Sequence, residues 1–101
     1  LALVVPVTVA YGSDLDMVER VTLQVAREVL QQVQGGVDSY EPLVRYSGLG
    51  DSAIQFNVIL RVKEWGDQGL VRHEFLRRLL IAYAHDRIEI PFPQRVVHPS
   101  P

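Results

Sequence analysis

The sequence predicts an α+β domain of the ferredoxin-like class, a split β-α-β fold in the order β-α-β-β-α-β with both helices on one face of a four-stranded sheet. Three observations lead there. Apolar residues recur at three- and four-residue spacing over Leu15–Val33 and Val71–Tyr83, the period of a core-facing helix. They alternate at a two-residue period over Ile54–Val62, the period of a strand. Turn signals fall between these segments, at Gly12-Ser13-Asp14, Gly35-Gly36, Gly48-Leu49-Gly50-Asp51 and Trp65-Gly66.

The first strand is expected from Leu3 to Tyr11, with Val5, Val7, Val9 and Tyr11 on one face and Val4, Thr8 and Ala10 on the other. Both faces are substantially apolar, which implies cover on both sides or a neighbour beyond the domain. Gly12 breaks the strand, and Ser13 or Asp14 can accept the orphan N–H groups of a helix start, with Asp14, Asp16 and Glu19 at the positive end of the dipole. The first helix then carries Leu15, Val18, Val21, Val25, Val29 and Val33 on one stripe. Five of those six are valine, a mediocre helix former, so packing must hold this helix. Gly35-Gly36 is the expected C-cap.

A second strand, Pro42 to Ser47, is joined by the Gly48–Asp51 turn to a third as a hairpin. In the third, Ile54, Phe56, Val58, Leu60 and Val62 face one way, and Gln55, Asn57, Arg61 and Lys63 the other. Asp67 is the expected cap of the second helix, whose buried stripe comprises Val71, Phe75, Leu79 and Tyr83 with Leu76, Leu80 and Ala82 beside them. Arg72, Arg77 and Arg78 fall outside it. The last strand starts at Ile88; Pro91 and Pro93 lack the N–H of an interior strand and make it an edge strand with a rigid exit. Right-handed crossovers leave the opposite sheet face open, with Val4, Ala10 and Ile59 as a candidate contact surface.

With 101 residues, the whole of 1–101 is expected to form a single domain, with 95–101 as an exit segment. Hydrophobic residues make up 48% and charged residues 22%, an ordinary globular balance. A net charge of −2 argues against a nucleic-acid surface. The chain has no cysteine, which excludes disulfides and thiolate metal sites. Its long apolar run, Leu1–Ala10, is broken by Pro6 and is far shorter than the ~18 residues of a bilayer span. The abrupt start and the unpartnered tail read as a piece cut from something longer.

Chemistry finds little to rest on. Asp14 and Asp16 suit a helix cap better than a metal pair, for no third oxygen ligand is near in sequence. His73, His85 and His98 lack the spacing of a zinc site, and Ser13, Ser39, Ser47 and Ser52 sit in turns without a nucleophile elbow. Gly48-Leu49-Gly50 precedes a strand rather than a helix, which removes the basis for phosphate cradling. RNA stacking would have only Phe56, which belongs to the apolar face. The chain is therefore expected to be no enzyme and to need no cofactor or metal.

Ile88-Glu89-Ile90-Pro91-Phe92-Pro93-Gln94-Arg95 resembles the signature that ends the cytoplasmic α/β domain of MscS-type mechanosensitive channels, and Val7-Thr8-Val9-Ala10-Tyr11-Gly12-Ser13-Asp14 resembles its opening. Glu41-Pro42 and the Gly48–Ser52 turn follow in the family's order. One departure is the absence of a glycine before the Ile-x-Ile-Pro run, where Arg87 stands. The resemblance implies a homo-oligomer of identical subunits, a heptamer in the full channel, forming a cage under the pore at the cytoplasmic face of the inner membrane. It further implies that Pro91, Phe92, Pro93, Gln94, Arg95, Val96, Val97 and His98 form the exit hinge and oligomer interface, with Val96–His98 entering a small barrel. The alternative is a free-standing ferredoxin-like regulatory module that dimerises through its open sheet face and binds a small ligand.

Overall fold

In the structure, a computed structural model describing residues 1–91, strand β1 (Ala2–Ala10) leads into helix α1 (Leu15–Gln32). Strands β2 (Leu43–Leu49) and β3 (Ala53–Arg61) form a hairpin, and a turn of 3-10 helix at Trp65–Asp67 opens helix α2 (Gln68–His85). The sheet is antiparallel in the order β1-β3-β2. In β1, alternate residues Leu3, Val5, Val7 and Val9 are buried under the helices while Val4 and Pro6 are exposed. The same alternation buries Phe56, Val58 and Leu60 of β3, and Val62 just beyond it. Tyr11 closes the predicted inward row in sequence but lies outside the strand and is exposed; its hydroxyl donates to the Gly50 carbonyl at 2.5 Å, fastening the β1 end to the hairpin turn.

Asp14 caps α1, its Oδ1 accepting from the Met17 N–H at 3.2 Å. Of the predicted stripe, Val18, Val25, Val29 and Val33 are buried and Val21 packs against the core's rim. Thr22, Ala26 and Leu30 are buried as well, because the helix is covered by the sheet on one side and by α2 on the other. The cap residue is Val33 rather than a glycine. Gly35 and Gly36 serve the following turn instead. Gly35 has φ +94°, a Cβ there would collide with the Asp67 side chain, and its carbonyl accepts from Lys63 N–H at 2.8 Å.

Asp67 stands at the N-cap of α2, but its carboxylate accepts from the Glu64 N–H at 3.0 Å, back into the 3-10 turn. Val71, Phe75, Leu79 and Tyr83 are buried as their four-residue spacing predicts. Leu76 and Leu80 are not; Leu80 is 57% exposed. Each stands about 100° around the helix from the central stripe.

The predicted four-stranded sheet has three strands among the described residues. Ile88–Pro91 lies beside β1 without forming a ladder, touching it through one backbone bond from Ala10 N–H to the Glu89 carbonyl at 2.9 Å. Ile88 and Ile90 pack against the core. No helix among the described residues is long and apolar enough to cross a membrane.

Candidate functional site

The end of α2 determines how the chain leaves the domain. Asp86 is the cap residue, Arg87 takes φ +58°, and two bonds wrap the helix end: Arg87 N–H to the Ala84 carbonyl at 3.4 Å and Ile88 N–H to the Tyr83 carbonyl at 2.9 Å. This is the Schellman pattern, which turns a chain sharply back along its helix and usually employs glycine at the left-handed position. Arg87 occupies that position here. The chain is thereby aimed at the outer edge of β1, where Ala10 takes hold of Glu89.

Beyond that bond the edge of β1 and the flank of α2 enclose an apolar groove of about 240 Å³, lined by Pro6, Val7, Thr8, Leu76, Leu80 and Ile90 among others. Leu76 and Leu80, which the sequence places with the core, form one wall of it. A second hollow of about 390 Å³ lies between the helices, where Val21 and Ile81 meet Glu28, Arg78 and His85. Its charges are mixed in sign. The open sheet face carries an apolar row, Val4, Ile59 and Leu43, aligned by strand register.

The polar residues singled out in the sequence do not converge. Asp14 is the helix cap, and Ser13 Oγ donates to the Ala10 carbonyl at 2.6 Å. His73 and His85 are both exposed and lie several turns apart on α2. The proposed hinge and interface residues Phe92, Pro93, Gln94, Arg95, Val96, Val97 and His98 lie outside the described residues; of that set only Pro91 is described, half-buried at the mouth of the exit.

Two tyrosines have displaced pKa values. Burial and the hydrogen bond from its hydroxyl to the Glu19 carboxylate, at 2.7 Å, push Tyr46 up to about 12. Tyr83 is pushed to about 12 by burial, against the lowering effect of its Thr22 partner. Both act as ties between elements, one from β2 to α1 and one from α2 to α1.

The family profile described as "Mechanosensitive ion channel MscS, C-terminal" matches residues 3–92, nearly the whole chain. The chain belongs to the MscS family. Among curated proteins it is similar to an uncharacterized MscS family protein of Archaeoglobus fulgidus, 28% identical over an alignment of 95 residues that covers 90% of this chain and 30% of that protein. The chain thus spans about a third of that relative's length. In this MscS-family domain the groove beside β1 escaped sequence reasoning, since Leu76 and Leu80 carry the same apolar signal as a buried stripe. Only the one-residue offset of Leu76 and Leu80 from Phe75 and Leu79 hinted that they could stand aside.

Proposed function

We propose that this domain is the cytoplasmic structural and assembly module of an MscS-type mechanosensitive channel, part of a cage of identical subunits below the pore. The observation that carries the reading is the family match through residue 92. It runs from β1 to one residue beyond Pro91, the last described residue. Among the described residues the order β1-β3-β2 leaves free the place beside β1 that a fourth strand takes in a split β-α-β fold, and Ile88–Pro91 approaches it.

On this reading 1–101 is one domain of a larger membrane protein, and Pro91–His98 are its exit hinge and subunit interface. Val96, Val97 and His98 enter a barrel of one strand per subunit, seven in the family pattern. Pro91 and Pro93 set the angle of approach, because each holds its own φ and the residue before it extended. The domain then acts on conduction indirectly, by tying pore subunits together and by screening solutes at the cytoplasmic mouth. The path for ions across lipid belongs to other parts of the protein.

The test compares the isolated domain with its parent protein by light scattering and thermal unfolding. A lone exit strand buries little, and a ring formed from free monomers loses translational and rotational freedom at every contact. In the parent, tethering makes those contacts effectively intramolecular. The isolated domain is expected to be monomeric or weakly associated at micromolar concentration and the parent a stable ring. Val96→Asp with Val97→Asp weakens the ring and leaves the domain's melting temperature unchanged. A tight dimer of the isolated domain, indifferent to those changes but broken by Ile59→Asp in the apolar row of the open face, would overturn the reading in favour of the regulatory module.

A further inference from the structure

The central strand β3 sorts the backbone groups of the sheet by parity. Val62, just beyond it, exchanges both bonds of a pair with Leu1 on the β1 side, Leu1 N to the Val62 carbonyl at 3.2 Å and Val62 N–H to the Leu1 carbonyl at 2.9 Å. Its neighbours turn the other way: the Arg61 carbonyl accepts from Val37 N–H at 3.0 Å, and Lys63 N–H donates to the Gly35 carbonyl at 2.8 Å. At the hairpin end the Ala53 carbonyl accepts from Gly50 N–H at 2.8 Å, in the same parity as Arg61. In an antiparallel ladder the direction alternates residue by residue, so Ile59 and Asn57 direct their groups to Leu43 and Arg45, their partners in register. Val44 and Tyr46 therefore direct theirs to the outer edge of β2, where no strand follows among the described residues.

Such an edge is a template for another strand. The most direct partner is β2 of a second copy, because an antiparallel pair centred on Val44 is self-complementary. It would exchange two bonds between the two Val44 residues and place each Tyr46 N–H against the Pro42 carbonyl of the other copy. Pro42 has no N–H to return. The central acceptor is already taken: the Val44 carbonyl accepts from Arg45 Nη1 at 3.0 Å. Arg45 springs from the open sheet face, in the row that holds Pro6 and Asn57, and its guanidinium folds round the edge to reach the carbonyl of the residue before it. Beyond Tyr46 the register shifts, leaving Ser47 unpaired, and a bulge of this kind bends the strand away from a straight partner. Of these three obstacles, one is a side chain that can be removed without breaking a ladder bond.

We propose that Arg45 guards the β2 edge: by occupying the Val44 carbonyl it keeps the β2 strand of a second copy of this chain from adding to the sheet. The guard acts in both copies at once, so both central bonds of the pair are denied. This inference concerns the domain alone and does not depend on the channel reading.

Light scattering and amide hydrogen exchange on the 101-residue chain test it, with Arg45→Thr, Arg45→Ala and, as control, Arg72→Ala at an exposed position on α2. Arg45 is itself exposed, and threonine is a good strand former, so the sheet is retained. Each substitution removes one positive charge from a chain of net charge −2, which by itself opposes association. Both Arg45 variants are expected to dimerise about ten-fold or more tightly than the unmodified chain, and their Val44 and Tyr46 amides to exchange about ten-fold or more slowly as concentration rises. In the unmodified chain and in Arg72→Ala these two amides are expected to exchange fast at every concentration. Arg45 variants that scatter as the unmodified chain does would overturn the guard. Equal association of Arg72→Ala would trace the effect to charge, and association that leaves the Val44 and Tyr46 amides unprotected would place the contact elsewhere; either result overturns the proposal. Protection of both amides in the unmodified chain would mean that the edge is occupied rather than guarded, and would overturn it too.

Discussion

The hydroxyls of Thr22 on α1 and Tyr83 on α2 share a hydrogen bond in the interior, both residues almost fully buried. Among the described residues every buried side-chain nitrogen and oxygen has a partner, and this pair satisfies its own two groups across the helix interface. Removing one hydroxyl leaves the other desolvated and unpaired, which costs about 1–3 kcal/mol. Tyr83→Phe and Thr22→Val are each expected to destabilise by that amount in urea unfolding. The double variant is expected to cost less than their sum, because the second change removes the orphan left by the first. Additive costs would mean that the two hydroxyls are satisfied independently.

The same pair sets an alkaline limit. Tyr83 has its pKa raised from 10.0 to about 12 by burial, so between those values the folded chain holds a proton that the unfolded chain has lost. Stability from this group is complete below pH 10, and it falls as pH rises through 12. Unfolding free energy is expected to decline over that window, and to decline less in Tyr83→Phe. Tyrosinate absorbance in the folded protein is expected to show Tyr46 and Tyr83 ionising near pH 12.

Arg87 holds a left-handed backbone without being a glycine. That conformation costs a residue with a Cβ roughly 1 kcal/mol or more, and glycine returns part of the difference through its freer unfolded chain. Arg87→Gly is expected to stabilise the domain by about 0.5–1 kcal/mol, seen as a higher urea midpoint at unchanged slope. A loss of stability would show that the arginine side chain contributes more than the backbone strain removes.

Phe56 and Phe75 are fully buried on β3 and α2. Phe56→Ala and Phe75→Ala are each expected to cost about 3 kcal/mol or more, from lost transfer energy and the cavity left behind. Gln55→Ala, on the outward face of the same strand, is the control and is expected to stay within about 0.5 kcal/mol of the parent. Equal urea midpoints for all three would mean that the inward and outward faces are misassigned.

What the sequence determined by itself is what repeats locally. The two-residue period of β3 and the four-residue spacing of Val71, Phe75, Leu79 and Tyr83 specify which face is inward wherever these elements pack, and Asp14 caps α1 through atoms three residues away. The family, too, was legible, because its motifs are short runs in order along the chain. Tertiary structure decided whatever depends on an opposite wall. Leu76 and Leu80 have the composition of core residues yet flank a groove. Thr22 is buried only because Tyr83 arrives from a helix 61 residues away to satisfy it. Arg87 bends the chain where the family motif leads one to expect glycine, held there by bonds to Tyr83 and Ala84 and by the docking of Ile88. Local spacing fixes direction, but burial is a relation between surfaces distant in sequence, and only the assembled fold brings them together.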